Sequence, residues 1–412
     1  MCKRGLLVSG NANNSANAGF SYSNSNNSPT NANANISVHL NYNIIKKKNI
    51  TTHKPCLSAK NKLIRNSFGR DKRRRDFVIA HKNMKRIGNL YSKIIDINNL
   101  RLADEKARKG KMKSYGIKLH DKNREDNILK LHEQLKNKTY KTSEYNIFKI
   151  YEPKERDIYQ LPYFPDRIVH HAVMNILEPI WVSIFTSDTF SCIKGRGIHG
   201  CWKKVREALK DEEGTKYCLK IDIRKYYPTI NHDILKSLIR KKIKCKDTLD
   251  LLDEIIDSAD GIPIGNYLSQ YFANIYLTYF DHYVKEKMKV KYYYRYADDM
   301  VFLHNDKKEL RKIYKEINTY LKDELKLEIK HNYQIFPTQV RGIDFVGYVF
   351  RSSHILIRKK IKQNFCRKIA KLLKRKINKE QLKQGIAAWL GWCKYSNSVN
   401  LLNKLTYEQS IL

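Results

Sequence analysis

The 412-residue chain contains no apolar run of about 18 residues, so no segment reads as a membrane-spanning helix. Its basic residues are not gathered on one amphipathic helix either, which makes a membrane surface a poor partner. The eight cysteines (Cys2, Cys56, Cys192, Cys201, Cys218, Cys245, Cys366 and Cys393) are scattered and form no Cys-x-x-Cys pair. That spacing argues against a zinc site or a disulfide framework and for a reducing, cytoplasmic compartment. The opening Lys3-Arg4-Gly5-Leu6-Leu7-Val8 has too short an apolar stretch for a signal peptide. Acid is scarce: Asp plus Glu number 41 against 80 for Lys plus Arg, a formal net charge of +39. A surplus that large calls for a polyanionic partner, nucleic acid first of all.

Charge is also missing locally. Residues 5–45 hold no Lys, Arg, Asp or Glu, and 11–35 contain ten asparagines among Ser, Ala and Gly. Such a segment cannot build an ordinary core, so 1–45 reads as a disordered, low-complexity extension. Residues 46–85 follow as a basic segment, densest at Arg70-Asp71-Lys72-Arg73-Arg74-Arg75, which is either a solvated tail or a nucleic-acid contact.

What is present downstream is a regular alternation of helices and strands. Residues 87–135 carry helical spacing, and Tyr145 to Tyr151 alternates like a strand. Asp166 is expected to cap a helix that runs through Leu177 and stops before Pro179. Helices are expected near 197–210 and 232–243. After the break at Pro263 and Gly265, a long helix is expected from 267 to 288, with Leu268, Phe272, Ile275, Tyr279 and Tyr283 near its buried stripe. Strands at 291–296 and 300–304, a helix at 307–325 and a strand pair around 334–336 and 343–350 complete this region. The last sixty-two residues, 351–412, carry fifteen Lys or Arg against two Glu and read as a basic helical subdomain suited to a duplex backbone.

Two adjacent aspartates carry the chemistry. Tyr296-Ala297-Asp298-Asp299 lies between the short runs Tyr292-Tyr293-Tyr294 and Met300-Val301-Phe302-Leu303, a strand–turn–strand pattern. Two carboxylates at such a tip repel each other, a cost normally offset by a divalent cation. Asp222 ends another apolar strand, Tyr217-Cys218-Leu219-Lys220-Ile221. If the two strands are neighbours, the three carboxylates converge and can hold a metal pair for phosphoryl transfer. A solvated Asp-Asp turn is the common alternative, and the other motifs argue against it.

The order of motifs resembles the fingers, palm and thumb of reverse transcriptases over roughly 86–405. Tyr296-Ala297-Asp298-Asp299 matches the YxDD box, and Lys220-Ile221-Asp222-Ile223-Arg224-Lys225-Tyr226-Tyr227 matches the first carboxylate motif. Asp166-Arg167-Ile168-Val169-His170-His171 is similar to the fingers motif that precedes the Gly195-Arg196-Gly197 turn. The finer resemblance is to enzymes of diversity-generating retroelements. It rests on Ile264-Gly265-Asn266-Tyr267-Leu268-Ser269-Gln270 where most relatives carry Gln-Gly-x-x-x-Ser-Pro. It is supported by Phe272-Ala273-Asn274-Ile275-Tyr276-Leu277, by Gly342-Ile343-Asp344-Phe345-Val346-Gly347-Tyr348 and by Trp389-Leu390-Gly391-Trp392.

The resemblance implies an α+β right-hand polymerase: fingers and the start of the palm at 86–217, palm with an antiparallel sheet at 218–350, helical thumb at 351–412. The sequence is expected to stop after the thumb, with no endonuclease or RNase H. The implied activity is RNA-directed DNA synthesis with two Mg2+ ions, held by Asp222, Asp298, Asp299 and the Ile223 carbonyl. Nucleotide contacts fall to Arg156 (Lys154 being less favoured), Tyr227 as a gate against ribose, Ile264, Gly265 and Gln270. Phe345, Gly347 and Tyr348 fall at the primer grip. Trp389 and Trp392 are expected in the thumb core and Tyr226 in the palm core. Ile264 departs from the usual glutamine, which either loosens nucleotide positioning or is mere packing. Asn332 stands where many relatives place a lysine, with Lys330 two residues away.

The implied partners are a template-repeat RNA, dNTPs, cDNA and its RNA/DNA hybrid, and a small basic accessory variability protein that forms a helical ring, all in a bacterial or phage setting. The Asn-rich start also resembles the variable-repeat segments of diversified lectin-like proteins, which leaves open a reading frame begun inside a template repeat or a plain low-complexity tail. A defence-associated or group II intron-type reverse transcriptase shares the chemistry. A non-catalytic RNA-binding scaffold of the same fold, or a basic RNA chaperone, would explain the charge but not the retained aspartates in their order.

Overall fold

The computed structural model describes residues 85–151, 155–375 and 378–406. The Asn-rich extension, nearly all of the basic segment and Lys154 lie outside these residues. Four helices open the fold: α1 (Tyr91–Ile95), α2 (Ile97–Arg108), α3 (Tyr115–Asp121) and α4 (Arg124–Lys136). The side chain of Asp96 starts α2 by accepting from the backbone N–H groups of Asn98 and Asn99. A hairpin follows, β1 (Asn146–Ile150) against β2 (Arg156–Gln160), and then α5 (Ile168–Val182) and α6 (Gly197–Ala208).

Asp166 and Pro179 behave differently from the sequence expectation. Asp166 does not cap α5. It is fully buried, and its Oδ1 accepts from the Tyr140 hydroxyl at 2.8 Å and the Ser143 N–H at 3.1 Å, tying the hairpin entrance to the helix. Helix α5 continues through Pro179 to Val182. The proline removes one N–H, but Leu177 and Trp181 on either side are buried in the core, and the Ser183 N–H bonds back to the Pro179 carbonyl at 3.2 Å.

The palm is one antiparallel sheet in the order β4–β5–β3–β6, made of β3 (Tyr217–Asp222), β4 (Tyr292–Tyr296), β5 (Asp299–His304) and β6 (Gln334–Pro337). Both faces are covered. Leu219, Ile221, Tyr293, Met300 and Phe302 join the larger core. That core also takes in residues of α7 (His232–Arg240), α8 (Lys246–Ile256), α9 (Tyr267–His282) and α10 (Lys307–Leu325). Cys218, Tyr294, Tyr296, Val301, Leu303 and Phe336 turn the other way, into a second core shared with α6 and the thumb. This is the two-residue period of a strand buried on both sides. Helix α9 has no single stripe: Leu268, Ser269 and every residue from Tyr271 to Asp281 are buried, because it threads the middle of the molecule.

The strand pair expected at 334–336 and 343–350 is split between two sheets. β6 pairs with β3, whereas β7 (Ile343–Phe345), β8 (Tyr348–Phe350) and β9 (Ile355–Ile357) form a separate antiparallel sheet. The intervening turn at Thr338–Arg341 and Gly342 (φ 73°) redirects the chain. Helices α11 (Lys359–Leu373), α12 (Lys379–Cys393) and α13 (Val399–Thr406) pack on this sheet, with Trp389 and Trp392 buried as expected. Fingers, palm sheet and helical thumb thus give the α+β right-hand arrangement. Among the described residues no helix is long and apolar enough to cross a membrane.

Candidate active site

The register of the palm sheet sets the site. Asp222, last residue of β3, is the Cα partner of Asp299, first residue of β5, and Tyr296 is the partner of Asp299 on its other side. Side chains alternate along a strand, so Asp222 and Asp299 share a face with Lys220, opposite the face of Tyr293 and Arg295. Asp298 stands on the turn between β4 and β5, entered through Ala297 in the left-handed region (φ 54°). The three carboxylates predicted to meet therefore do so at one end of the sheet.

Their electrostatics are unfavourable without a counter-charge. Removal from water, then the charges of Asp222 and Asp299, push the Asp298 carboxyl up to about 7. Removal from water is also the main cause for Asp299, raised to about 6 with Lys220 pulling the other way and Asp222 adding to the rise. Two lysines supply part of the compensation. Lys330 Nζ is 2.6 Å from Asp222 Oδ1, and its backbone N–H also donates to the Asp222 carbonyl at 2.9 Å. Lys220 Nζ lies 3.8 Å from Asp299 Oδ2 and donates to the Asp344 carbonyl at 2.5 Å.

Asp299 Oδ1 is buried with no hydrogen-bond partner, which leaves an acceptor aimed at nothing in the protein. Hard oxygen donors, mutual repulsion and that unpartnered oxygen fit a divalent cation. Among the described residues no group of three or more His, Cys, Asp and Glu side chains forms a ready metal-holding cluster. The carboxylates present offer hard oxygen donors in an open set, not a closed cage.

The other predicted residues surround this end of the sheet. Tyr227 is 7 % exposed and begins a short 3-10 turn, and its carbonyl accepts from the Ile262 N–H at 2.9 Å. Arg156, at the start of β2, lies within electrostatic reach of the Tyr227 hydroxyl. Tyr226 points into the core as expected, donating to the Ala273 carbonyl. Ile264 is partly buried against the larger core, and its carbonyl accepts from the Tyr159 N–H of β2 at 2.8 Å. Gly265 (φ 136°) lets that approach happen, since a Cβ there would lie 2.2 Å from the Tyr159 carbonyl oxygen.

Gln270 lines a cavity of about 360 Å3 together with Cys192, Glu178 and the stacked pair His171–Tyr267, whose ring centroids are 4.3 Å apart. At the expected primer grip, Phe345 and Tyr348 are fully buried, and a Cβ on Gly347 (φ 88°) would meet the Trp392 ring at 2.5 Å. Arg358, at the N-cap of α11, bonds Asp344 Oδ1 at 2.6 Å, so this turn is fastened to the thumb as well as to Lys220.

Sequence reading missed two features. Lys330 was noted only for its position, while its contact spans 108 residues and had no local signal. Arg295, fully buried beneath the turn that carries Asp298, is bound by Asp281 of α9. Its signal was a lone charge in the middle of an aromatic strand, Tyr292–Tyr296.

Residues 152–350 match the family model described as reverse transcriptase (RNA-dependent DNA polymerase). Protein YkfC of Escherichia coli (strain K12) is 26% identical over 245 residues, covering 48% of this chain and 63% of YkfC. The group II intron-encoded protein LtrA of Lactococcus lactis subsp. cremoris is 26% identical over 231 residues, covering 52% of this chain and 38% of LtrA. The chain thus spans less than two thirds of the length of these relatives. The structure of apo telomerase from Candida tropicalis aligns with a TM-score of 0.42 at 13% identity, over 54% of this chain and 49% of that one. Over residues 152–350 the chain is thus similar to reverse transcriptases, and its relatives include group II intron-encoded proteins.

Proposed function

We propose that the chain is an RNA-directed DNA polymerase that copies a template-repeat RNA into adenine-mutagenised cDNA for a diversity-generating retroelement. The polymerase part rests on one observation above all, the pairing of Asp222 with Asp299 across β3 and β5 with Asp298 on the adjoining turn. In this reading Asp222, Asp298 and the Ile223 carbonyl hold two Mg2+ ions, with Asp299 supporting. The metal charge, when bound, favours ionisation of the primer 3′-hydroxyl and departure of pyrophosphate.

The remaining steps belong to the chain's own groups. Lys330, held against Asp222, places a protonated amine beside the site that would neutralise or protonate the leaving group, in place of the lysine that Asn332 displaces. Tyr227 fills the space of a ribose 2′-hydroxyl. Arg156 binds the triphosphate, and the backbone through Gly265 bears on the templating pair. Ile264 provides no hydrogen bond there, which loosens positioning and admits mispairs. Phe345, Gly347 and Tyr348 form the primer grip by fixing the buried 345–348 turn. The net charge of +39 supports RNA and hybrid as partners, and an accessory ring protein is proposed from resemblance alone.

Primer extension with dNTPs on RNA, followed by copying of the adjacent repeat RNA with the accessory protein and sequencing of the cDNA, tests both levels. No extension removes the polymerase. The similarity to LtrA favours a second reading, a group II intron-type enzyme. Faithful copying of every adenine removes the retroelement reading and leaves the polymerase one.

A further inference from the structure

The carboxylates stand on one face of the palm sheet; on the opposite face, directly beneath, lies a fully buried charge cluster that the chemistry does not use. Arg295 is the fourth of the five residues of β4 and has no exposed surface. Its Nε donates to Asp281 Oδ1 at 2.7 Å and Oδ2 at 3.0 Å, and Nη2 donates to Asp281 Oδ2 at 2.6 Å. The remaining nitrogen, Nη1, donates to the Ala297 carbonyl at 3.0 Å and to Asn274 Oδ1 at 3.2 Å. Asp281 is itself fixed by the Tyr293 hydroxyl at 2.6 Å and the Thr189 hydroxyl at 2.8 Å. Asn274 is fixed in turn by its bond to the Ser191 carbonyl at 2.8 Å.

Stability alone does not account for this cluster. A buried ion pair can usually be replaced by apolar side chains of similar volume without loss, because the desolvation of both charges offsets their attraction. A guanidinium offers something an apolar pair cannot, a rigid planar fork that grips a carboxylate on one edge and still points an N–H in a fixed direction. Here that direction is the carbonyl of Ala297, the residue that enters the catalytic turn in the left-handed region at φ 54°. An alanine resists that conformation, so a buried donor on its carbonyl selects it. The next two residues are Asp298 and Asp299. The backbone of Arg295 is held as well, its N–H on the Asp188 carbonyl at 2.9 Å and its carbonyl on the Phe190 N–H at 3.1 Å.

We infer that Arg295, aimed by Asp281 and Asn274, is a positioning residue that fixes the turn carrying Asp298 and Asp299. The inference rests on the polymerase reading. The full chain is compared with R295K, which keeps a charge on Asp281 but cannot also reach Ala297, and with the neutral pair R295M/D281N, which leaves an acceptor for Tyr293 and Thr189. Folded fraction is measured by circular dichroism and melting, primer–template affinity by anisotropy, and single-nucleotide extension gives kcat and KM per folded molecule.

A turn displaced by about 1 Å costs about 100-fold in kcat, so both variants should lose on that order while primer–template affinity stays within about two-fold. Unchanged kcat per folded molecule overturns the inference. So does a parallel loss of affinity and kcat, which marks general structural damage. Should the neutral pair fail to fold, R295K decides by the same criteria, since Asp281 remains paired in it. Failure of the wild-type chain to extend a primer sinks the polymerase reading instead, before any variant is made.

Discussion

Asp222 and Asp299 face each other across the β3–β5 ladder, and each is answered by a lysine, Asp222 by Lys330 and Asp299 by Lys220. Without a metal the lysines are the counter-ions, but they leave Asp299 Oδ1 without a partner. In the proposed polymerase a divalent cation would take the place of these ammonium groups, and neutralising a carboxylate would remove its hold.

D222N and D298N should each lower primer extension by at least about 10^3-fold, the scale expected when the main charge stabilisation of a transition state is removed. Affinity for primer–template should change little, because the basic surface is untouched. Single-turnover extension beside equilibrium binding checks this. Retention of more than a tenth of the wild-type rate by D222N would falsify its role.

The same carboxylates predict a pH dependence of stability in chelator. The Asp298 carboxyl titrates near about 7 in the folded chain against an ordinary 3.8, so the folded state holds the extra proton between those values. Its contribution is complete at the acid end and is lost as pH rises toward about 7. His170 and His171 act in the opposite sense. Burial lowers them from 6.5 to about 3 and about 4, so they cost stability as pH falls below 6.5. The difference in Tm between D298N and wild type cancels the histidines, and D298N should gain on wild type as pH is raised from 4 to 7. A flat difference across that window would show that neither burial nor the neighbouring carboxylates raise Asp298.

Much of this site was legible because its parts are local. The Asp298-Asp299 turn lies between two strands that pair with each other, and the helix 307–325 is bounded by its own signals, an N-cap at Asp306 and a left-handed Lys326. Asp222 could be joined to them through its place at a strand end. What resisted reading was pairing at a distance. Nothing in Gln334–Pro337 says that it lies beside β3 and not beside Ile343–Phe345, because a short strand accepts any edge with the right alternation. Asp281 reads as one polar residue on a helix until its partner Arg295 arrives from another element. Pro179 misled for a related reason: local propensity ends a helix there, and the buried Trp181 overrides it.

Gly265 gives a prediction about how the fingers hairpin is seated. A Cβ at this position would fall 2.2 Å from the Tyr159 carbonyl oxygen, and the backbone here is in a region open mainly to glycine. G265A must push β2, with Arg156 on it, away from the palm. The expected outcome is a rise of roughly 10-fold or more in KM for dNTP with a smaller fall in primer–template affinity, given that sub-ångström placement governs such contacts. Steady-state extension over a dNTP series measures it, and an unchanged KM would show that the hairpin does not bear on the nucleotide.

Tyr227 is buried beside the carboxylates and anchored through its carbonyl to Ile262, so its ring has little freedom to retreat from a 2′-hydroxyl. Y227V should raise the efficiency of ribonucleotide incorporation relative to deoxynucleotide by roughly 10–100-fold, the range available to a single steric contact. Competition assays with matched rNTP and dNTP read the ratio directly. An unmoved ratio would remove the gate from this residue.

Ile264 carries the finest prediction. Its carbonyl is tied to Tyr159 while its side chain packs on the larger core, so the residue stands at the junction of fingers and palm without a polar group to offer. A hydrogen bond that senses the geometry of the nascent pair is worth ~1–3 kcal/mol of discrimination. I264Q restores the chance of that bond at nearly the same volume, and misincorporation opposite adenine should fall by roughly 10-fold, since 1.4 kcal/mol is a factor of ten. In the retroelement reading errors opposite the other bases should change less, because there only mispairs at adenine are tolerated. Sequencing cDNA made by the two enzymes on one adenine-rich RNA supplies the comparison. Equal error spectra would mean that Ile264 serves packing alone and that low fidelity, where it exists, arises from other residues.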